Sequence, residues 1–184
     1  MAFHAYTSNN KLSIPQRRLN GFTLLEMLVV LAVISLLSLI AIPSFDAWNE
    51  RNAFKHAATG IASLAKQARM KALINKKNMF LIAQIEHNSC VLVSEENSCS
   101  CATRQSCAFT ESSFLSLPSR WNTELSTTNN EDKIVAFNKN GTLNFASNTT
   151  LTLSSQRFRA KLVINTLGRV KLCSVPSISG IAPC

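Results

Sequence analysis

The sequence has few of the residues that enzymes use for acid–base, nucleophilic or metal chemistry. Histidine occurs three times, at His4, His56 and His87, and no triad spacing, Gly-rich phosphate loop or H-E-x-x-H pattern is present. The carboxylates are dispersed, and the neighbouring acids at 95–96 and 131–132 are typical of solvated loop charge. These absences argue against an enzyme, and we expect neither a cofactor nor a metal site.

Acidic residues are also missing from the last third of the chain, where none follows Asp132. The whole chain has a formal net charge of +9, and seven basic residues follow that last acid: Lys133, Lys139, Arg157, Arg159, Lys161, Arg169 and Lys171. Such asymmetry favours a polyanion or a membrane surface as a partner, with solvated surface charge as the alternative. The lack of acids also argues against a calcium site of clustered oxygen ligands near the C-terminus.

Charge is nearly absent from residues 22–42, an apolar run in which Glu26 is the one charged residue. A helix of this length is about 30 Å long, which matches the hydrocarbon core of a bilayer. A secretory signal has its apolar region before the cleavage point, whereas here the small-residue junction, Gly21 before Phe22, precedes it. Because a carboxylate inside a bilayer costs several kcal/mol unless it is paired, Glu26 requires a partner. Hydropathy alone leaves an ordinary signal-anchored membrane protein as the alternative.

The stretch Gln16-Arg17-Arg18-Leu19-Asn20-Gly21-Phe22-Thr23-Leu24-Leu25-Glu26 resembles the N-terminal signature of type IV prepilins and pseudopilins. The resemblance implies that a prepilin peptidase cleaves after Gly21 and N-methylates Phe22. It also implies that Glu26 pairs with the terminal amine of a neighbouring subunit as the protein enters a fibre.

The same resemblance divides the chain into a leader peptide at residues 1–21, a transmembrane and fibre-core helix at 22–43, and a periplasmic head at 44–184. It implies a single pass through the inner membrane before assembly, and a place in the pilus fibre or at its tip afterwards. The implied partners are the prepilin peptidase, other major and minor pilins, the inner-membrane assembly platform and the membrane itself. The leader is longer than the short leaders of the family.

After Pro43, which we expect to kink the helix, an amphipathic pattern predicts that the helix continues to about residue 77. Its apolar face is predicted to hold Phe45, Trp48, Phe54, Ala57, Ala58, Ile61, Leu64, Ala65, Ala68 and Ala72, and its other faces Glu50, Lys55, Lys66, Gln67 and Lys71. Short β-prone runs with turn residues between them then predict antiparallel strands at 79–85, 91–93, 134–137, 142–145, 149–153, 158–164 and 169–173. Residues 95–121 show little pattern. The predicted fold class is α+β, pilin-like, with the long N-terminal helix packed on antiparallel sheet.

Further segments resemble the GspH/FimT group of minor pilins and pseudopilins. Residues 63–72 and 78–81 are similar to that group's helix end and first strand, and residues 134–141, 151–153 and 164–172 to its F-x-x-x-G strand pair and closing G-R-x-R strand. In the FimT branch the closing motif is associated with DNA binding in natural transformation. This implies Arg169 and Lys171, together with the turn residue Gly168, as contacts to double-stranded DNA. The family's final Arg is Lys171 here, which keeps the charge but loses the bidentate fork.

Three more basic residues are predicted to contact DNA. Basic and apolar residues alternate along 157–162, so Arg157, Arg159 and Lys161 would project from one face of a strand. If this segment pairs with residues 169–171 across the turn, the two rows form a basic stripe that binds DNA without sequence preference and with strong salt dependence. The alternative is that the charge keeps a strand edge soluble and unpaired. For the whole chain, the main alternative is a GspH-like minor pseudopilin of a type II secretion system without DNA binding.

Six cysteines in a head outside the inner membrane predict disulfides, because that compartment is oxidising. They are Cys90, Cys99, Cys101, Cys107, Cys173 and Cys184. The sequence does not choose among the pairings of the first four. The resemblance to pilins, which commonly pin their C-terminal region, favours a loop closed by Cys173 and Cys184. A zinc site is the alternative, but the paired C-x-x-C spacing of structural zinc sites is missing.

Overall fold

The computed structural model describes residues 21–85, 89–102, 107, 113–117, 120–143 and 148–184. Residues 1–20 of the predicted leader, His87 and residues 144–145 of one predicted strand lie outside these ranges. The chain divides into two compact units, Met1–Pro43 and Ser44–Cys184. The second unit is called the head below.

In the first unit, helix α1 (Leu24–Asn75) begins at a threonine cap. The Oγ1 of Thr23 accepts a hydrogen bond from the N–H of Glu26, and the carbonyl of Thr23 accepts one from Met27, each at 3.2 Å. A threonine cap followed three residues later by glutamate has the spacing of a capping box. The large apolar side chains between Phe22 and Leu39 are exposed in this chain.

The apolar start of α1 is the candidate membrane span. Among the described residues, no single helix is long and apolar enough to cross a membrane. Two parts of α1, Leu24–Leu39 and Ser44–Asn75, are together long and apolar enough for a candidate membrane span.

In the head, α1 buries a face of small and apolar side chains. This face contains Phe54, Ala57, Ala58, Ile61, Leu64, Ala65, Ala68 and Ala72, as the periodicity predicts. The prediction is wrong for Phe45 and Trp48, which are exposed and stack on each other, because the hydrophobic core begins at Phe54. It is also wrong for Glu50, which is buried. The helix ends at Asn75, close to the predicted end, where Lys76 takes a left-handed conformation with φ of 55°.

The described residues form nine strands in two sheets. The strands are β1 (Met79–Gln84), β2 (Cys90–Ser94), β3 (Phe114–Ser116), β4 (Glu124–Thr127), β5 (Lys133–Phe137), β6 (Thr149–Ser154), β7 (Arg159–Ile164), β8 (Val170–Val175) and β9 (Ala182–Pro183). The first sheet has the order β3-β2-β1-β5 and is antiparallel throughout. The second has the order β4-β6-β7-β8-β9, and its β8–β9 pair is parallel. The predicted α+β class is confirmed.

Most predicted strands agree with the structure. Strands β1, β2, β5, β6, β7 and β8 each overlap a predicted run. From the predicted run at 142–145, Leu143 forms a single bridge with Phe137. The sequence analysis did not predict β3, β4 and β9, which are two to four residues long.

The main core lies between α1 and both sheets. Leu81, Val93 and Phe137 of the first sheet and Leu151 and Leu162 of the second join the buried face of α1. A smaller cluster on the first sheet holds Ile82, Leu92 and Cys99, with Cys101 and Cys107 packed against it. The cysteine-rich segment therefore contacts a separate apolar surface of the first sheet.

Three disulfides staple the head: Cys90–Cys101, Cys99–Cys107 and Cys173–Cys184. The last is the pairing that the resemblance to pilins favours. All six cysteine sulfurs lie in these disulfides.

Candidate functional site

The hairpin of β7 and β8 places three of the predicted basic residues on one exposed face. Along β7, Arg159 and Lys161 are exposed while Ala160, Leu162 and Ile164 are buried. In the register, Lys161 lies opposite Cys173, and Val163 lies opposite Lys171. Because directly opposed residues share a face, Lys171 lies on the same side as Arg159 and Lys161, about 7 Å diagonally from Lys161. We call these three residues and the side of the sheet that carries them the basic face.

The basic face continues onto β6 as a row of hydroxyl groups. Thr150, Thr152 and Ser154 lie opposite Val163, Lys161 and Arg159, respectively. Glu124 lies opposite Ser154 on β4, two strands and about 10 Å from Arg159. The face therefore combines cations with hydrogen-bonding hydroxyls and has one acid at a corner.

Arg157 has a different environment. It precedes β7, and its Nε lies 3.5 Å from Oε2 of Glu50, which is only 3% exposed. Oε1 of Glu50 accepts a hydrogen bond from Oγ of Ser155 at 3.0 Å. Arg157 is therefore held by a buried carboxylate that offsets part of its charge. The sequence contained a signal for Glu50, since it lies one helical turn before Phe54 on the buried face.

Arg169 lies in the turn before β8. Its side chain is exposed, and its backbone N–H donates to Oδ1 of Asn165 at 2.8 Å. Gly168 has φ of +70°, where a non-glycine residue would be strained. A Cβ on Gly168 would overlap the carbonyl oxygen of Gly141 and lie 3.1 Å from Nε of Arg69. Conformation and packing therefore account for this glycine, which shapes the turn that carries Arg169.

The turns that contain Gly141 and Gly168 pack together against the C-terminal end of α1. Nε of Arg69 donates a hydrogen bond to the carbonyl of Gly141 at 3.1 Å. Gly141 also has a positive φ of 69°, and a Cβ there would lie 2.8 Å from Cγ of Leu73. The N–H of Leu143 donates to the carbonyl of Thr166 at 2.8 Å, which joins the two turns. This packing fixes the end of the hairpin that carries Arg169.

The predicted processing site lies just before α1. Gly21 and Phe22 are exposed and non-helical, and apart from its chain neighbours no described residue has an atom within 4 Å of a Cβ built on Gly21. Glu26 is exposed in the first turn of α1, where the helix dipole stabilises a carboxylate.

Among the described residues, no three or more His, Cys, Asp or Glu side chains lie close enough together to hold a metal ion. The candidate sites in the described part of the chain are the basic face and the junction before α1.

Two comparisons with known proteins give matches, one to the N-terminal segment and one to the fold. Residues 16–42 match the family described as the prokaryotic N-terminal methylation motif. The fold matches the crystal structure of the type IV minor pilin FimU of Pseudomonas aeruginosa strain PAO1, with a TM-score of 0.54 and 17% identity, covering 71% of this chain and 98% of that one. A second crystal form of FimU gives a TM-score of 0.49 and 16% identity, covering 67% and 98%. No curated protein matches the sequence significantly.

At this level of identity the likeness shows the fold, and the predicted pilin fold is confirmed. The chain thus carries a prepilin methylation motif at its N-terminus and a pilin fold after it. This combination supports the predicted resemblance to type IV minor pilins of the GspH/FimT type.

Proposed function

We propose that this chain is a minor pilin of a type IV pilus, which is inserted in the inner membrane and then assembled with other pilins into the fibre. The observation that carries the proposal is the methylation motif on a helix whose apolar side chains are exposed. Leu24 and Leu39, near the ends of the apolar stretch, are 78% and 72% exposed in the isolated chain. Such an apolar surface is stable only when it is buried, first in the bilayer and then against the helices of neighbouring pilins.

Processing and docking follow from the start of α1. Cleavage after Gly21 frees the amine of Phe22, which the peptidase methylates. The carboxylate of Glu26 then pairs with the terminal amine of a neighbouring subunit, because an unpaired carboxylate in an apolar environment is costly. Thr23 caps the helix at this point and fixes the backbone that carries Glu26.

A second candidate function, capture of double-stranded DNA, is favoured by the charges of the basic face and the adjacent turn. Among the described residues, the ion pairs are Lys77 with Glu95 and Arg157 with Glu50. Neither uses Arg159, Lys161, Arg169 or Lys171, so these four cations are available to phosphates. Contacts of this kind give affinity without base readout, which suits uptake of arbitrary DNA.

Deletion of the gene in the source organism tests the assembly proposal against the type II secretion alternative. A minor pilin of the pilus is expected to be needed for normal numbers of surface pili, while secretion of type II substrates stays unchanged. The wild-type chain is expected to restore the pili, whereas a Gly21→Phe variant, which blocks the cleavage junction, is not. Normal piliation with lost secretion would identify a pseudopilin instead.

A further inference from the structure

Beside the basic face lies a concave groove of about 430 Å³ between the β6–β7 turn and the end of β8. We call it the anion groove. Its polar lining includes Gln156, Arg157, Arg159 and Lys161, and its apolar lining includes Val175 and Pro176. The anion groove is a different site from the G-R-x-K turn, because Arg169 and Lys171 do not line it.

The polar wall of the anion groove selects a negative group. Three cations line it, with Cys184 also in the lining, and the buried carboxylate of Glu50 pairs with Arg157. The same ion pair, together with the hydrogen bond from Ser155, holds Arg157 in place before a ligand arrives. Preorganised guanidinium groups favour carboxylate and phosphate oxygens because they donate in a planar fork.

The apolar wall of the groove is exposed and adjoins the cations, because Val175 lies opposite Arg159 in the register of β7 and β8. Val175 is 57% exposed, and Pro176 is exposed beside it. Phe158 also lines the groove and is fixed from behind by the ring of Phe54, at a centroid distance of 5.6 Å. A ligand that fits this lining needs an acidic group for the cations and a C–H surface for Val175 and Pro176, with hydroxyls for Gln156 and the serines.

The size and shape of the anion groove favour a small ligand over a DNA duplex. Its volume lies in the range of roughly 300–1,000 Å³ that is typical of small-molecule sites and holds about one or two sugar rings. The phosphates of a duplex lie on a convex surface, which meets an exposed strand face more readily than it enters a groove. We propose that the anion groove binds an acidic saccharide, with the carboxylate or phosphate at the cations and the ring against Val175 and Pro176.

Titration of the detergent-solubilised chain with glucuronic acid, glucose 6-phosphate and neutral glucose tests the proposal by ligand-observed NMR. Both acidic sugars are expected to bind at least tenfold more tightly than glucose. Inorganic phosphate is expected to bind more weakly than glucose 6-phosphate, because it makes no contact with the apolar wall. Equal binding of inorganic phosphate and sugar phosphate would overturn the saccharide assignment, as would equal binding of all three sugars.

Two variants separate the anion groove from the DNA contacts. Val175→Trp fills the groove without a change of charge, and it is expected to weaken acidic-sugar binding at least tenfold while DNA binding stays unchanged. The Arg169→Ala, Lys171→Ala double variant is expected to do the reverse. Gln156→Ala, which lies outside the strands, gives a second groove variant if Val175→Trp fails to fold. Retained sugar binding in a folded groove variant would contradict the proposal.

Discussion

Nε of Arg157 lies 3.5 Å from Oε2 of Glu50, and this ion pair ties helix α1 to the turn between β6 and β7. The two partners differ in exposure, since the side chain of Arg157 is 57% exposed and that of Glu50 only 3%. The carboxylate also accepts a hydrogen bond from Ser155, which lies 105 residues away in sequence. A charge buried in this way is tolerated because both of its oxygens are satisfied.

We expect Glu50→Gln to lower the free energy of unfolding of the oxidised head by about 1–2 kcal/mol. The amide keeps the shape of the side chain but weakens the contacts to Ser155 and Arg157. Urea unfolding followed by circular dichroism measures this loss. Glu95→Gln is the matched control, because Glu95 pairs with Lys77 on the surface, and it is expected to cost less than about 0.5 kcal/mol. Equal losses in the two variants would contradict the structural role of Glu50.

Gly168 and Gly180 give a matched pair for testing the packing of the β7–β8 turn. Both have positive φ, 70° and 88°, but only at Gly168 would a Cβ meet backbone, the carbonyl of Gly141. Near Gly180 the closest atom is the flexible Nζ of Lys55. Gly180→Ala is therefore expected to cost about 1 kcal/mol, the conformational strain alone, and Gly168→Ala about 3 kcal/mol. Thermal unfolding of both variants measures the difference, and a Gly168→Ala head as stable as Gly180→Ala would show that the turn packs otherwise.

Two of the disulfides close loops of the same length, since Cys90–Cys101 and Cys173–Cys184 each span a sequence separation of 11. Chain entropy alone gives each a stabilisation of about 3 kcal/mol. Cys90 is buried and Cys184 is exposed, so serine is better tolerated at the terminal bridge. The Cys173→Ser, Cys184→Ser variant is expected to be the more stable of the two double variants under non-reducing urea unfolding. The opposite order would mean that the Cys173–Cys184 disulfide stabilises the head by more than the entropy of closing its loop.

Glu26 has two possible roles, docking and helix capping, and two substitutions separate them. Glu26→Gln keeps a residue that suits the capping-box position but removes the charge, whereas Thr23→Ala removes the cap and keeps the charge. We expect Glu26→Gln to be cleaved and methylated yet missing from sheared fibres, and Thr23→Ala to be incorporated. Immunoblots of membrane and fibre fractions check this. Incorporation of Glu26→Gln at the wild-type level would rule out charge pairing as the docking step.

DNA binding by the three cations of the basic face together with Arg169 is expected to depend steeply on salt. Four phosphate contacts predict a slope of log affinity against log salt of about −3.6, and the Arg169→Ala, Lys171→Ala variant is expected to lower its magnitude by about 2. Fluorescence anisotropy with the oxidised head measures both slopes. A Lys66→Ala, Lys133→Ala variant removes the same charge from exposed positions elsewhere and is expected to change the slope little. A head that binds no DNA at low salt would leave the basic face as solubilising charge.

Much of the structure could be predicted from local sequence patterns. The N-terminal signature is a contiguous motif, and the burial of α1 from Phe54 onward follows its periodicity because one face meets the core. Alternation along β7 was sufficient to place Arg159 and Lys161 on one face. The burial of Glu50 was not predicted, although its spacing from Phe54 indicates the buried face, because the partner that lets a carboxylate be buried there is in a turn that is distant in sequence.

The structure of the cysteine-rich segment was also not predicted, because it depends on contacts between residues that are distant in sequence. Strand β3 has three residues and is held by its pairing with β2, which a local pattern does not reveal. The pairing of Cys90 with Cys101 and of Cys99 with Cys107 depends on how this segment packs on the first sheet. The anion groove likewise arises where Val175 and Pro176 approach the β6–β7 turn across the second sheet.

Mass spectrometry of sheared, purified pili from the source organism tests the central claim, assembly into a type IV pilus, most directly. We expect the fibre fraction to contain this chain with an N-terminal peptide that begins at N-methylated Phe22. A chain that stays in the membrane fraction, or that reaches the fibres with residues before Phe22 still attached, would contradict the account.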